Sequence, residues 1–486
     1  MRVGFIGPSY TSRSTAVADE ECINFFAETL ESQGSVVPSK SYGGQTAGAV
    51  RNYYGTPGLS VFSALPDKPA RGGYWTGTRC FFVGGTQLIE LAANGTQTAR
   101  GAVASDGQAV SIAASNIQLL IVSAGKAYCY TLATDVLVEV TSSLAGTPVR
   151  TDYSDGYFIV CFANSNKFQM SGILDGITWP GVQVNAISVF PENITSIIVN
   201  HRELWVFGSG HAQPYQDTGS VEIFDVIPGA LIEMGNAATF APTRLDNSIF
   251  WIGEDERGAR VAWRSQGYTP VRVSTHAVET DLSSYADISK LVAYSYQDGG
   301  HLFWVLYIPG AQWSWVFDVS ESLWHKRAQW VNGQWKPHYS WNHIYAFGKH
   351  LVGDWNSGNV YELNLSNLTD SGNLIRRLRR TPIISDEMAW IYHADLTIDF
   401  DTGLGPQPPL LDGNNAPRQP QAMLRWSDNR GKTWSNQHIA DCGFAGQYNV
   451  RSVWRRLGRS RYRVYELSVT DPIAWTVIDA YLRINS

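Results

Sequence analysis

The sequence predicts an all-β fold: a β-propeller of six or seven blades with a C-terminal β-sandwich-like domain. Three observations predict it. From about residue 52, short apolar runs alternate with Gly, Asn and Asp turns. These units recur every ~40–50 residues, the period of propeller blades. The composition suits short strands joined by tight turns, with 12% aromatic residues, 45 glycines and only 16% charged residues, against roughly 25% in an average domain. No strong amphipathic helix is evident.

The units follow one another along the chain. The first has Gly72-Gly73-Tyr74-Trp75, the turn Thr76-Gly77-Thr78, Cys80-Phe81-Phe82-Val83, a Gly84-Gly85 break and Leu88-Ile89-Glu90-Leu91. The second runs from Val110 to Tyr130 and turns at Ala124-Gly125-Lys126. Later units carry Tyr157–Val160 after Ser154-Asp155-Gly156, and Ile197–Val199 with Leu204–Phe207 around Asn200-His201-Arg202. Ile249–Ile252 follows Asp246-Asn247, and Leu302–Tyr307 follows Asp298-Gly299-Gly300. The last has His343–Phe347 and Asn359–Leu363. One such sheet cannot bury both faces alone, whereas blades stacked around an axis can.

This texture sets the expected domains. Residues 1–50 are an extended arm with one apolar patch, Ile23-Asn24-Phe25-Phe26, which docks on the chain's own propeller or on a neighbouring subunit. Residues 51–365 are the propeller, and 366–486 the C-terminal β domain. The latter opens with a linker and a basic strand, then shows strand signals at 395–400, 422–426, 461–469 and 475–484, divided by a Pro-rich loop at 403–420. Removing residues 1–50 is expected to weaken assembly and leave the monomer folded.

Net charge is −6. That argues against a broad basic face gripping nucleic acid, but not against a wall past which DNA slides. The five cysteines, Cys22, Cys80, Cys129, Cys161 and Cys442, are widely spaced with no CxxC or CxxH pairing, so no zinc site is expected. Cys80, Cys129 and Cys161 sit in apolar runs and read as small buried hydrophobes. No secretory signal and no 18-residue apolar span is evident.

Candidate sites are few. Arg376, Arg377, Arg379 and Arg380 form the strongest basic run; it reads as a strand with arginines on its solvent faces near a subunit interface, or as a contact for phosphate or an acidic partner. With Phe25 and Phe26 of the arm, these are the candidate interaction residues. In a second basic cluster, Arg455 to Arg461, the arginines are expected to pair with Glu466 and Asp471. Ser427-Asp428-Asn429-Arg430-Gly431-Lys432-Thr433-Trp434 resembles the Asp-box of sialidases, with Asn429 in place of Asp. That box is a hairpin device: the Asx side chain caps the turn, the glycine takes the awkward backbone angle and the Trp packs beneath. Glu254-Asp255-Glu256-Arg257-Gly258 is an acidic turn, and paired carboxylates for glycoside chemistry seldom come from one hairpin tip. No HExxH, GxSxG or P-loop pattern occurs. No catalytic residue, cofactor or metal ligand is expected.

Two stretches carry a resemblance. One is Ile23-Asn24-Phe25-Phe26-Ala27-Glu28, with Tyr54-Gly55-Thr56-Pro57-Gly58-Leu59 and Arg71-Gly72. The other runs from Met423-Leu424-Arg425-Trp426-Ser427-Asp428 through Thr433-Trp434-Ser435, Gly446-Gln447-Tyr448 and Trp454-Arg455-Arg456-Leu457-Gly458 to Arg463-Val464-Tyr465-Glu466 and Ser468-Val469-Thr470-Asp471-Pro472. The chain resembles the packaged-DNA stabilisation protein, or tail hub and nozzle, of short-tailed phages. The resemblance implies a virion tail protein made in the bacterial cytoplasm. It implies a homo-oligomeric ring, usually of six subunits, below the head-to-tail adaptor. That ring extends the DNA channel, passes double-stranded DNA without sequence-specific binding, and carries tailspikes or fibres and a plug or needle. It implies no catalysis. The rival from another class is a sialidase-like carbohydrate-active or glycan-binding propeller, which needs several Asp-boxes inside the blades. A third reading is a tail protein that reads surface glycans through exposed aromatics.

Overall fold

The turns determine where each strand reverses. In the computed structural model, which describes residues 4–30, 51–141, 143–187, 189–219, 223–254, 257–406 and 408–485, several hairpins, including five whose turns were singled out from the sequence, close through two residues with positive φ. These five pairs are Ala124-Gly125, Asp155-Gly156, His201-Arg202, Asp246-Asn247 and Gly299-Gly300. That geometry matches the right-handed twist of the flanking strands. The flanking residues pair directly, as in Ser123↔Lys126, Ser154↔Tyr157 and Asp298↔His301.

Contacts divide the chain into two units, Ser60–Ser314 with Lys336–Leu363, and Met1–Leu59 with Trp315–Trp335 and Asn364–Ser486. The first is a propeller of seven sheets. Blades 1 to 5 are four-stranded antiparallel meanders whose first strands are Ala70–Trp75, Ser111–Ala114, Pro148–Ser154, Ser196–Asn200 and Thr243–Leu245. Blade 6 begins with the hairpin Val292–Asp298 and His301–Tyr307. Blade 7 is Ser340–Ala346, Lys349–Asp354 and Asn359–Asn364, and the early strand Gly58–Ala64 completes it. The first strand of blade 7 lies against that of blade 1, so the ring closes.

Burial of both blade faces explains the unbroken apolar runs. In blade 2, Leu119 and Ile121 pack toward blade 1 with Phe81 and Val83, while Leu120 and Val122 pack toward blade 3 with Phe158 and Val160. Ile159 and Cys161 then meet Ile197, Val199 and Val206 of blade 4. Alternate residues of one strand thus serve two neighbouring cores. Among its described residues the unit also holds one α-helix, His276–Ser284, which sequence periodicity did not signal. It is nine residues long, starts at the Thr275 cap and buries only Ala277, Val278 and Leu282, too few for a clear stripe.

The second unit is a β-sandwich. One sheet runs in the order Phe25–Thr29, Arg51–Gly55, Thr476–Asn485, Ile391–Phe400 and Ser452–Ser460. The other includes Leu323–Val331, Asp19–Ile23, Arg377–Arg380, Tyr462–Val469, Gln421–Ser427 and His438–Asp441, in that order. Phe25, Tyr53, Leu396, Ile398, Trp454 and Val477 of the first sheet pack on Cys22, Leu424, Tyr465, Leu467 and Val469 of the second.

This corrects the expected target of the arm. Its described residues supply two strands and the core residues Phe5, Cys22 and Phe25 to the unit that holds the C-terminal sandwich. A chain lacking them loses part of a core, so the expectation that it stays folded is withdrawn. Residues 31–50 lie outside the described residues.

Candidate functional site

The densest polar chemistry of the described residues lies where strand Arg377–Arg380 runs between Asp19–Ile23 and Tyr462–Val469. Cys22 faces Arg379 and Glu21 faces Arg380 across one edge; Arg379 faces Leu467 and Arg380 faces Glu466 across the other. Strand alternation sends successive arginines to opposite faces. Arg379, wholly buried, sits over the Tyr53 ring at 5.8 Å. Its guanidinium donates to the carbonyls of Phe5 (2.5 Å), Pro8 (3.0 Å) and Glu21 (3.4 Å), and to the Glu20 carboxylate (2.9 Å). Five fixed N–H donors on one planar group suit this convergence of oxygens, which a lysine could not reproduce.

Arg380 points to the other face. It donates to Glu466 at 3.0 and 2.8 Å and to Asp19 at 2.5 Å. Glu466, 1% exposed, also accepts from Arg425 at 2.6 Å. The Trp434 ring lies 4.9 Å from the Arg380 guanidinium and 4.8 Å from that of Arg425. Burial raises the Asp19 carboxyl against the pull of Arg380. Lys326 holds Glu21 at 2.9 and 2.7 Å and covers the Trp315 ring at 4.9 Å.

Arg377 is also buried and donates to the Thr56 carbonyl at 3.4 Å. A Cβ on Gly55 would stand 2.5 Å from its Nε, so only glycine lets the backbone pass there. Burial pushes the Asp370 carboxyl up to about 7 despite the Arg377 cation. Arg376 stacks over Trp330 at 4.1 Å.

Asn24 joins the elements. It sits between its two strands at φ 58°. Its amide nitrogen donates to the carbonyls of Ala328 (2.8 Å) and Arg376 (2.7 Å), and its oxygen accepts from the Ala328 N–H (2.9 Å). An Asx residue suits this place because it tolerates the left-handed region and brings both donor and acceptor.

All six residues singled out from the sequence fall in this seam. Phe25 stacks on Tyr53 at 5.6 Å and Phe26 on Tyr54 at 5.8 Å. The arginines are not on solvent faces: Arg377 and Arg379 are 2% and 0% exposed. For Arg379 and Arg380 the acidic run Asp19-Glu20-Glu21 of the same chain supplies counter-charges, Glu20 and Asp19, while the acid nearest Arg377 is Asp370. That run, opposite in sign to 376–380, was the sequence signal that could have revealed the pairing. The second basic cluster is corrected too. Glu466 pairs with Arg380 and Arg425, and Asp471 with Arg418 at 2.5 Å, so neither serves residues 455–461.

Other candidates carry structural roles. In the Asp-box segment, Asn429 Oδ1 accepts from Ser427 Oγ (2.8 Å) and from the Thr433 N–H (2.8 Å), Gly431 has φ 85°, and Trp434 packs as described. Of the acidic turn, Asp255 and Glu256 lie outside the described residues; Glu254 binds Arg260 at 3.1 Å. The five cysteines are buried free thiols, and burial pushes Cys80, Cys129 and Cys161 up to about 12. A propeller cleft of about 180 Å³ is lined by Asp106, Gln108, Ala124, Phe240 and Lys290 among others, and Asp106 is bound by Arg71 at 2.8 Å. Among the described residues no group of three His, Cys, Asp or Glu is placed to hold a metal, and no helix is long and apolar enough to cross a membrane.

Comparison with known proteins adds the following. A family model described as "Bacteriophage P22 Gp10, beta-propeller" matches residues 40–367, and one described as "Bacteriophage P22 Gp10, beta-sandwich" matches residues 376–485. No curated protein matches. Among solved structures, the chain is similar to the N-terminal domain of Nup159 (8% identity, 64% of this chain and 95% of that one, TM-score 0.40). It is also similar to the Cps50 (Swd1) β-propeller domain of Myceliophteria thermophila (8% identity, 63% and 99%, TM-score 0.41). A third is the computationally designed Ika8 protein (13% identity, 63% and 99%, TM-score 0.35).

Proposed function

The chain belongs to the Bacteriophage P22 Gp10 family of phage DNA-stabilisation tail proteins, and from that premise we propose that it is the tail hub: a homo-oligomeric ring, of six subunits, below the head-to-tail adaptor. In this reading the ring extends the DNA channel of the virion tail, carries tailspikes or fibres and a plug or needle, and catalyses no reaction. The chain is synthesised in the bacterial cytoplasm before assembly. The observation that carries the proposal is that both family domains match in order on one chain, whose sandwich seam pairs its arginines and carboxylates with one another. Arg379, Arg380, Glu466 and Lys326 stiffen a scaffold and face no reacting group. A sealing ring needs such rigidity, since pressure from packaged DNA acts on it mechanically.

The test is reconstitution. DNA-filled heads bearing the adaptor are expected to leak DNA without this chain and to retain it once the purified protein is added. Negative-stain images should show a ring capping the adaptor. Equal retention with and without the protein would refute the proposal. The glycan-active alternative is disfavoured by one Asp-box segment lying in the sandwich instead of several in the blades; hydrolysis of sialosides by the purified chain would revive it.

A further inference from the structure

The arginines at 451–461 are left over by the seam. Arg451, Arg455, Arg456, Arg459 and Arg461 are all exposed, and among the described residues none of them forms an ion pair with an acid. The carboxylates expected to hold them are occupied elsewhere. Three of them lie on Ser452–Ser460, the edge strand of the five-stranded sheet.

The local backbone turns two of them, Arg455 and Arg456, to solvent. Opposite His393–Asp395 the register slips, with His393 facing Gly458 and Asp395 facing Arg455. At this bulge Arg456 takes φ 59°. A regular strand would send Arg455 and Arg456 to opposite faces, yet here both side chains reach solvent. A non-glycine residue at positive φ is a strained choice at an exposed edge. Nearby, Trp390 is 49% and Tyr392 48% exposed. The guanidinium of Arg459 lies 4.8 Å from the Trp390 ring, that of Arg461 lies 5.0 Å from it, and Arg459 donates to Tyr392 Oη at 3.2 Å. Stacking orders these groups without neutralising them and leaves their N–H edges free for an anion.

We propose that this edge is a phosphate-contact strip for the backbone of duplex DNA. The proposal rests on the tail-hub reading and deepens it. Charge complementarity favours the occupant: a chain of net charge −6 here presents five unneutralised arginines. Residues 455–461 span about 20 Å of strand, which matches the axial rise of about six base pairs at 3.4 Å each. No base-reading groove insertion is built here, so contact is independent of sequence.

The test uses the full chain and a 30-base-pair duplex of arbitrary sequence, titrated by fluorescence anisotropy from 50 to 200 mM salt. Five contacts give a slope of about −4.5 in log K against log salt, or about a 500-fold loss over that range. The triple variant R455Q/R456Q/R461Q should flatten the slope to about −2 and weaken binding at least tenfold at 50 mM salt. Replacing the same three by lysine should keep the slope, which separates charge from misfolding; an unchanged thermal midpoint in both variants checks the fold. Absence of salt-dependent binding, or an unchanged slope in the glutamine variant, would overturn the proposal. So would variants that bind DNA normally but lose self-association, or bind anionic phosphatidylserine vesicles instead of duplex. If heads still need the chain to retain DNA but the chain ignores duplex, the strip fails and the tail reading stands.

Discussion

Arg379 shows how much one side chain holds. Its guanidinium satisfies three backbone carbonyls and the Glu20 carboxylate with no exposure to water. A buried ion pair gains little over a well-packed apolar pair, but losing one partner strands the other. Arg379→Met is therefore expected to cost about 3–5 kcal/mol, read as a lowered urea midpoint of the full chain. Asn24 is similar on a smaller scale. Asn24→Ala removes a donor from two carbonyls and an acceptor from the Ala328 N–H, and places alanine at φ 58°. About 3 kcal/mol is expected, and Asn24→Gly should recover only the backbone share. A variant of either residue as stable as the parent would show that the seam is decorative. Exposed Arg456 is the contrast: Arg456→Gln should shift stability by no more than about 0.5 kcal/mol.

At the scale of elements, the N-terminal strands decide whether the sandwich forms. Asp19–Ile23 lies inside one sheet between Leu323–Val331 and Arg377–Arg380, and Phe25–Thr29 pairs with Arg51–Gly55 in the other. Deleting residues 1–30 should remove Glu20 from Arg379 and Asp19 from Arg380 and leave the sandwich core open, with faster proteolysis within 364–486 while fragments from 60–314 persist. Resistance of both regions to protease would contradict the role given to these strands. The Asp-box segment, the hairpin turns and the basic strand were legible in the sequence because each is fixed by residues a few positions apart. Asn429, Gly431 and Thr433 act within one turn. The helix at His276–Ser284 was not legible, because its stability comes from packing of three residues and not from its own periodicity.

At the scale of the molecule, buried histidines set the pH response. His343 in the propeller stands 3.0 Å from His350 and beside Tyr294 and Tyr296. Burial holds it down at about 3. In the sandwich, burial and the Arg463 cation hold His393 at about 4. Unfolded histidines titrate near 6.5. As pH falls below that value, the unfolded chain takes up protons that the folded one refuses, so stability declines from about pH 6.5 toward pH 3–4. Asp370, whose strand pairs with Gly58–Ala64, is raised to about 7 by burial and works the opposite way: its contribution is present below about pH 4 and is lost as pH rises through 7. The two trends run in opposite directions, so the net fall is smaller than the histidines alone would give. Thermal midpoints between pH 7.5 and 4.5 should fall, and His343→Phe should flatten that fall. An equally steep fall in the variant would show that another group governs the response.

The sequence by itself determined the all-β class, the blade period, the strand reversals, the burial of Cys80, Cys129 and Cys161, and the strand at 377–380. All of these follow from residue types within a short window, where turn chemistry and side-chain alternation act. Only the tertiary structure decided that Gly58–Ala64 completes the last blade, that Asp19–Ile23 lies beside Arg377–Arg380 some 350 residues later, and which carboxylate meets which arginine. Such pairings depend on loop closure and on competition among many equivalent charges. Glu466 could have served either arginine cluster; the register of Tyr462–Val469 against Arg377–Arg380 gave it to Arg380 and left the edge arginines open to solvent.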